Sequence, residues 1–463
     1  MPERALQRAA LAVAMLTSFV TPFMGSAVNI ALPGIGAELG MDAVMLTWIA
    51  SAYILAAVVF LLPFGRLADI HGRKKVFSIG ILFFLLGSLA AALSRSGGML
   101  IAARVIQGLG GGLVFGTATA ILISVYPPER RGRVIGWNIA SVYIGLSLGP
   151  PAGGWMVGHF GWRSIFWLNS LLCAVSLGLT LRYLRREWKE AAGEKFDAPG
   201  AAAYALGIVA LMYGLSSLPA RRGYAALAAA AAALFLFIRR EGRTRFPLLE
   251  VRLLRGNRVF AFSNLAALIS YSATFAVGFL LSLYLQYVKG FSPQQAGLVM
   301  ISQPVMQALF SPVAGRLSDR IEPRLIASAG MALTAAGLAL LFFLGPTTGV
   351  AYISLSLVVL GIGFGLFSSP NTNAIMGSVE RRHYSVASAT LATMRMLGQM
   401  FSMGMTALVI ALFVGHRPIG AENQGGFLGG VHLLLGGFAL LSLAGIFASL
   451  ARGRVHKGVG AAD

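Results

Sequence analysis

The sequence predicts an all-α polytopic membrane protein with fourteen transmembrane helices, arranged as two six-helix halves with a two-helix insert between them. Of its 463 residues, 57% are hydrophobic and 11% are charged, and the mean hydropathy is +0.77. Soluble domains carry about 25% charged residues. The apolar residues form runs long enough to cross about 30 Å of hydrocarbon, which takes roughly 20 helical residues. A short charged motif also recurs at the same place in each half.

The apolar runs define the predicted transmembrane helices, which we call spans 1 to 14 in chain order. They cover residues 9–33, 44–67, 76–93, 99–126, 133–157, 164–184, 200–218, 224–238, 259–287, 295–317, 324–344, 350–378, 384–414 and 427–451. Span 1 follows Arg4 and Arg8. It is too long for a signal peptide and has no convincing cleavage site, which predicts an uncleaved signal-anchor.

The polar connectors predict where the chain divides. We predict an N-terminal six-helix half over 1–184, a linker over 185–258, and a C-terminal six-helix half over 259–463. Within the linker, 200–238 is predicted to be a membrane hairpin, because an apolar segment of that length outside the membrane would have nothing to pack against. The stretch that follows it mixes leucines with arginines, as an interfacial helix at the inner leaflet does.

The distribution of charge predicts the orientation. The chain holds 37 Lys and Arg against 16 Asp and Glu, a formal charge of +21, which in a soluble protein would suggest nucleic-acid binding. Here most basic residues lie in short loops between apolar runs, so they predict topology instead. We expect the protein to lie in the inner (plasma) membrane with both termini cytoplasmic. We expect no nucleic-acid partner.

The sequence does not support a disulfide framework, a metal site or enzyme activity. Cys173 is the only cysteine and lies in an apolar run, so neither a disulfide framework nor a thiolate metal site is predicted. No nucleophile, base and orienting group, no metal-ligand spacing and no phosphate-binding loop occurs. We therefore expect no enzyme activity, no cofactor and no metal.

The recurring motif reads "GRLADIHGRKK" from Gly65 and "GRLSDR" from Gly315, each after the second span of its half. Duplicated halves facing each other across a central site are a common plan of secondary transporters. Two further motifs lie within spans. Span 4 contains "RVIQGLGGG", and span 5 contains "GLSLGPPAGG".

These motifs resemble those of the major facilitator superfamily, and in particular its fourteen-helix drug:proton antiporter branch. The resemblance covers nearly the whole chain, and the stretch "LYLQYVKGFSPQQAGLVM" is similar to the same branch. The matching residues are Gly65, Asp69, Gly72, Arg73 and Lys74 after span 2, Arg104, Gln107 and Gly108 in span 4, and Gly145, Gly149, Pro150, Gly153 and Gly154 in span 5. The resemblance implies the major facilitator fold, and its span 5 motif implies antiport and hence export.

The repeated motif is predicted to act as a conformational latch. Gly65 would let two helices approach closely. Asp69, at the inner face, could accept hydrogen bonds at the positive N-terminal end of a neighbouring helix. Gly315 and Asp319 repeat the arrangement, so each half would carry one latch. The lysines that follow serve topology as well.

The motif of span 5 has two interpretations, which the sequence leaves open. Its glycines permit tight helix contact, and Pro150 and Pro151 remove backbone donors and favour a bend. The span could therefore be a seal in one conformation and a hinge in the other, or only a packing interface.

Acidic residues depart from the family pattern. Relatives in the branch read D-x-T-I-V-N-V-A-L-P in span 1, and that acid is a usual candidate for proton coupling. Here the segment is "MGSAVNIALP" with Met24 at the acid's position, and all sixteen acids fall in loops, tails or span ends.

Two arginines lie inside spans. A buried cation costs at least about 2.5 kcal/mol near the midplane and usually faces the protein interior. For Arg104 the resemblance implies hydrogen bonds to backbone and amide groups near span 1. Arg395 lies near the midplane and is predicted to face the substrate cavity, which favours a neutral or anionic amphiphile over a cation. The predicted cavity residues are Asn29, Tyr53, Tyr143, Gln303, Gln307, Asn371, Asn373, Arg395 and Gln399.

Three functions remain open from the sequence. The first is a proton-coupled exporter of amphipathic small molecules or drugs, working by alternating access. The second is a weakly coupled or uncoupled carrier of a metabolite or organic anion. The third is a membrane sensor that no longer transports, against which the latch motifs in both halves argue. The expected partners are the lipid bilayer and a small-molecule substrate, protons as coupling ion are left open, and a monomer is expected.

Overall fold

The computed structural model describes residues 3–380 and 383–453, and all regular structure in these ranges is helical. The first half is formed by α1 (Glu3–Leu39), α2 (Ala43–His71), α3 (Arg73–Ala92), α4 (Gly97–Val125), α5 (Pro128–Phe160) and α6 (Arg163–Tyr183). The linker holds α7 (Ala198–Ser216), α8 (Arg221–Glu241) and the short α9 (Val251–Gly256). The final ten residues of the predicted C-terminal half, 454–463, lie outside the described residues.

The second half begins with α10 (Arg258–Leu283), which runs on as a π-helix over Tyr284–Val288. Predicted span 10 is divided into two helices by Ile301. The remaining helices are α11 (Pro293–Met300), α12 (Ser302–Leu317), α13 (Pro323–Phe342), α14 (Val350–Gly377), α15 (Tyr384–Phe413) and α16 (Gln424–Ala451).

Thirteen helical segments in the described ranges are long and apolar enough to cross a membrane. They correspond to every predicted span except span 5, whose helix α5 is long enough, at 33 residues. The Gly, Ser and Pro residues of its motif lower its hydropathy, because these residues contribute little apolar surface. The polytopic helical fold is confirmed. The total of fourteen crossings stays a prediction, because α5 is not among the thirteen apolar segments.

The predicted hairpin is present and is packed. Its helices α7 and α8 lie against each other, and the Tyr204 hydroxyl donates to the Val58 carbonyl of α2 at 3.0 Å. Asp197 caps α7 and accepts from Arg240 at 2.8 Å. The hairpin is therefore attached to the first half by a buried hydrogen bond and is closed by an ion pair.

The chain forms two compact units that cut across the predicted halves. One contains residues up to Leu248 together with Ala276–Ile301 and Met403–Val431, and the other contains the rest of the second half from Leu249. The core of the first includes buried apolar residues of α1, α3, α4 and α6. The second has smaller apolar clusters around Phe260 and Phe367.

Candidate functional site

The loop after α2 is organised around Arg73, whose side chain is only 2% exposed. Its Nε donates to Asp69 Oδ1 at 2.8 Å, and its two terminal nitrogens donate to both Glu190 carboxylate oxygens at 2.6 Å. Nη1 also donates to Ser124 Oγ of α4 at 2.7 Å. The buried guanidinium thus joins the ends of α2, α3 and α4 to the connector after α6, and two carboxylates compensate its charge.

A second acid of that connector holds the first turn of α3. The Glu187 carboxylate accepts from the backbone N–H groups of Lys74 and Lys75 at 2.8 and 3.2 Å, as expected for an acid at a helix N-terminus. Gly72 precedes this turn with φ = 130°, and a Cβ there would collide with Glu187. Glu187 thus caps this helix N-terminus, whereas Asp69 binds the side chain of Arg73.

The two copies of the latch motif differ in their packing. Gly65 was expected to allow a close helix approach, but a Cβ at Gly65 would meet no described atom within 4 Å. At the second copy of the motif, a Cβ at Gly315 of α12 would collide with Ser369 of α14. Asp319 lies beyond the end of α12 and is exposed.

One end of the second half is held by Arg452, which directly follows α16. Arg452 is fully buried. Its Nη1 donates to Asn371 Oδ1 at 2.9 Å and Ser263 Oγ at 3.2 Å, and its Nη2 donates to the Pro323 carbonyl at 3.1 Å and Ser449 Oγ at 3.0 Å. One side chain thus joins α10, α13, α14 and α16.

Arg73 and Arg452, both buried, occupy reciprocal places in the two halves. Arg73 starts α3 and reaches an acid after α6, whereas Arg452 follows α16 and reaches the start of α13. Burial lowers the pKa of Arg452 to about 10, and the neighbouring Glu322 opposes this shift. The guanidinium therefore remains charged at neutral pH. The sequence signal was an arginine directly after the last apolar run, which topology alone also explains.

The motif of α4 forms a buried network. Arg104 donates through Nε to the Ile49 carbonyl at 3.0 Å and through Nη1 to Gln107 Oε1, and its guanidinium lies 4.5 Å from the centre of the Tyr53 ring. Gln107 donates to Ser88 of α3 at 2.8 Å. Arg104 thus has a backbone partner on α2 and an amide partner on its own helix.

The motif of α5 packs against two helices. A Cβ at Gly145, Gly149 or Gly153 would collide with α1, and one at Gly154 would collide with the backbone at Pro293 of α11. In return, Gly297 of α11 faces the Pro150 carbonyl. The glycines therefore bring α5 close to α1 and to α11, a helix of the second half.

A proline in α1 creates a second contact with the second half. Pro33 lacks an N–H, so the Asn29 carbonyl four residues earlier loses its helical donor. Ser282 Oγ of α10 donates to that carbonyl at 2.5 Å. Gln286, in the π-helix, donates to the next carbonyl, Ile30, at 3.1 Å and to Ser282 Oγ at 3.0 Å. We call Asn29, Ile30, Ser282 and Gln286 the α1–α10 contact, and all four lie in the first compact unit.

The α1–α10 contact gives a testable expectation. Gln286→Leu keeps the side-chain size but removes the hydrogen bond to the Ile30 carbonyl, worth about 1 kcal/mol, so the two segments should separate about fivefold more often. The measurement is the distance distribution between spin labels at Arg95 and Glu422, both exposed, in a Cys173→Ala background. Gln294→Leu, an exposed glutamine of α11, is the matched control. Equal distributions in both variants would contradict a closing role.

Arg395 has an unsatisfied donor within the second unit. Its Nη2 donates to Thr372 Oγ1 of α14 at 2.8 Å, and its guanidinium lies 5.6 Å from the centre of the Tyr271 ring. Its Nε is buried without a hydrogen-bond partner. Gln399 lies one turn further along α15, is half-buried, and shares its face. Among the described residues, buried Nε atoms without a partner also occur in Arg66, Arg324 and Arg452, but of these four arginines only Arg395 lies well inside a predicted span.

The other predicted cavity residues divide between the two units. Asn29, Tyr53, Tyr143, Gln303 and Gln399 are half-buried, Gln307 and Asn371 are buried, and Asn373 is exposed. Asn371 uses both amide atoms, since its Nδ2 donates to the Ser263 carbonyl at 3.0 Å and its Oδ1 accepts from Arg452. Asn373 donates to Ser318 Oγ beside the second latch motif at 2.7 Å. These two asparagines are therefore engaged in the helix ends.

Comparisons with known proteins identify relatives across nearly the whole chain. The sequence model of the Major Facilitator Superfamily matches residues 14–403. The riboflavin transporter RibZ of Clostridioides difficile is 30% identical over 395 residues, covering 85% of this chain and 86% of that protein. The methylenomycin A resistance protein of Streptomyces coelicolor is 32% identical over 415 residues, covering 86% and 84%.

One further relative and one solved structure are also similar to the chain. The uncharacterized transporter YebQ of Escherichia coli is 33% identical over 393 residues, covering 84% of this chain and 86% of that protein. Among solved structures, the peptide transporter POT in complex with sulfate superposes with a TM-score of 0.71 at 16% identity, covering 99% of this chain and all of that one. At that identity the likeness supports the fold alone.

Proposed function

The chain belongs to the major facilitator superfamily and is a membrane transporter, and from this premise we propose that it exports neutral or anionic amphipathic small molecules by alternating access. The observation that carries the proposal is Arg395, a cation within a membrane helix whose buried Nε has no hydrogen-bond partner among the described residues. An anionic or acceptor-bearing solute would satisfy that donor, whereas a cation would be repelled.

The direction of transport rests on the α5 motif and on the relatives. The close α5–α11 packing fits a seal that opens when the two halves move, as expected for antiport. Relatives named for resistance to methylenomycin A and for tetracenomycin C export support export of small organic molecules. A relative named as a riboflavin transporter keeps a metabolite among the candidate substrates.

Proton coupling is proposed to be weak. Met24 stands where relatives carry an acid and is only 1% exposed, and the acids with described side chains lie at helix ends or in connectors. A carboxylate that stores a proton midway through the membrane is therefore missing from the usual place. This observation favours the second candidate function, a weakly coupled or uncoupled organic-anion carrier.

The decisive experiment is transport by purified protein in liposomes. A panel of neutral, anionic and cationic amphiphiles is compared with and without an imposed proton gradient. We expect neutral and anionic members to be transported, with a shallow response to the gradient. Transport of cations alone, with a steep response, would overturn the proposal. No transport of any member would support a non-transporting sensor.

We further propose that both termini are cytoplasmic, because most basic residues lie in the connectors that this orientation places inside. Arg221 begins α8 and Arg243 follows its end. In a Cys173→Ala background, a cysteine replacing Arg221 should react with an impermeant thiol reagent outside intact cells, and one replacing Arg243 should react only after lysis. The reverse pattern would contradict the orientation, and equal labelling of both in intact cells would contradict a crossing by α8.

A further inference from the structure

A cavity of about 350 Å³ lies at the beginning of α10, and its lining includes neither Arg395 nor a residue of the latch motifs. Its volume is at the lower end of the range of about 300–1,000 Å³ that small-molecule sites occupy. It belongs wholly to the second compact unit. The described residues that line it are Glu250, Arg252, Leu253, Gly256, Asn257 and His383.

The walls of the cavity are fixed by packing and hydrogen bonds. Leu253 and Leu254 of α9 pack against the apolar cluster around Phe260. Asn257, between α9 and α10, donates to the Ser378 carbonyl at 2.6 Å and accepts from the Phe260 N–H at 2.9 Å. The cavity is therefore a built feature that joins α9, α10 and the beginning of α15.

Three charged or titratable side chains of the cavity make no hydrogen bond or ion pair with the described residues. Glu250 is half-buried, Arg252 is exposed, and His383 is half-buried. Within the described part of the chain, no hydrogen bond or ion pair engages these three side chains, and Glu250 does not cap α9. A carboxylate and a guanidinium that line one cavity without pairing leave an acceptor for a cation and a donor for an anion. The complementary ligand carries both charges.

The position of the cavity identifies the source of such a ligand. The six-residue helix α9 turns its leucines toward the core and leaves Arg252 and Arg255 exposed, which is the pattern of a helix lying at a membrane surface. It leads directly into the membrane helix α10. The opening is therefore expected at the depth of the lipid headgroups.

We propose that this cavity binds the headgroup of an ethanolamine phospholipid. The primary ammonium group donates hydrogen bonds to the Glu250 carboxylate, and the phosphate accepts from Arg252 and from the His383 ring. A choline headgroup carries the same charges, but its quaternary nitrogen has no N–H to donate. Binding should therefore discriminate between the two headgroups through Glu250. This inference goes beyond the proposed transport function and does not depend on it.

The test uses the full chain, purified and delipidated in detergent. Binding is followed by native mass spectrometry and by the thermal unfolding midpoint, with phosphatidylethanolamine, phosphatidylcholine and phosphatidylglycerol that share the same acyl chains. Since hydrogen bonds to a charged group are worth about 1.5–3 kcal/mol, phosphatidylethanolamine should bind at least about tenfold more tightly than phosphatidylcholine. Soluble glycerophosphoethanolamine, tested alongside, should bind more weakly than the lipid.

Substitutions assign the contacts. Glu250→Gln should remove the preference for ethanolamine over choline while the phosphate still binds. Arg252→Gln should weaken both lipids. The matched controls are Glu422→Gln, in the short 3-10 helix before α16, and Arg255→Gln, on α9 outside the cavity lining, and neither should alter the preference.

Several outcomes would overturn the proposal. Equal binding of the ethanolamine and choline lipids would remove the role of Glu250, and tightest binding of phosphatidylglycerol would indicate a simple anion site. Equal affinity for glycerophosphoethanolamine and the lipid would indicate a soluble ligand instead of a membrane lipid. A preference that persists in a folded Glu250→Gln protein would place the ethanolamine site elsewhere.

Discussion

Asp69→Asn is expected to lower the transport rate about tenfold or more, because a hydrogen bond between charged groups is worth about 1.5–3 kcal/mol. Asp69 accepts from Nε of Arg73 at 2.8 Å, and the Arg73 side chain is only 2% exposed. Asparagine keeps the size but removes the charge that helps to compensate this buried cation. The conformation that keeps Arg73 buried should become less populated. Rates are measured in liposomes at matched protein content.

Asp319→Asn is the matched control within the same chain. Asp319 occupies the equivalent place in the second copy of the motif, but it is exposed, and charges at such positions contribute little. Its replacement should change the rate about twofold at most. Equal losses in the two variants, or normal rates in both, would contradict the importance of the Arg73 contact.

A double substitution separates the two carboxylates that share Arg73. Glu190 is 57% exposed at its side chain and binds both terminal nitrogens of Arg73. Glu190→Gln alone should therefore cost less than Asp69→Asn. Because both acids act on one guanidinium, the effects of Asp69→Asn and Glu190→Gln should not add. Additive effects would mean that the acids act independently of Arg73.

The helices could be predicted from the sequence because a membrane helix needs a minimum apolar length, which local composition reports directly. The ends of α2, α10 and α14 lie within a few residues of the predicted spans. The compositional test is ambiguous at α5, where Pro150, Pro151 and the glycines reduce the apolar content. The glycines and prolines that let α5 pack closely also lower its apolar content, and this makes it harder to identify as a membrane span.

The site residues were less predictable because their partners lie far away in the chain. Ser282 and Gln286 bind backbone carbonyls of α1, and backbone acceptors have no signature in the sequence apart from Pro33. Arg452 and Arg104 are both buried arginines, but Arg452 follows its helix and therefore resembled a topology charge. Asn371 was predicted to line the substrate cavity, and its amide oxygen accepts from Arg452 while its amide nitrogen donates to the Ser263 carbonyl. The residue types indicated that these side chains are polar and buried, but only the hydrogen-bond partner of each side chain shows what it does.

Arg395→Gln is expected to weaken competition by anionic amphiphiles about tenfold or more, because a hydrogen bond to a charged group is worth about 1.5–3 kcal/mol. Competition by neutral amphiphiles of the same shape should change little. Nη2 of Arg395 donates to Thr372, whereas its buried Nε has no hydrogen-bond partner in the described part of the chain. Matched anionic, neutral and cationic amphiphiles are compared as inhibitors of transport.

Two further variants separate charge from geometry at this residue. Arg395→Lys keeps the charge but loses the planar guanidinium, so the anion preference should be reduced and not lost. Thr372→Val removes the hydroxyl that accepts from Nη2 at 2.8 Å but leaves the cation in place, so the preference should persist. If cations compete best in the wild type, and Arg395→Gln affects all three classes equally, Arg395 only holds α15 to α14 and the inferred substrate charge is wrong. If the preference for anions follows the charge at residue 395 through all the variants, the arginine faces the solute, because a purely structural cation would alter every substrate alike.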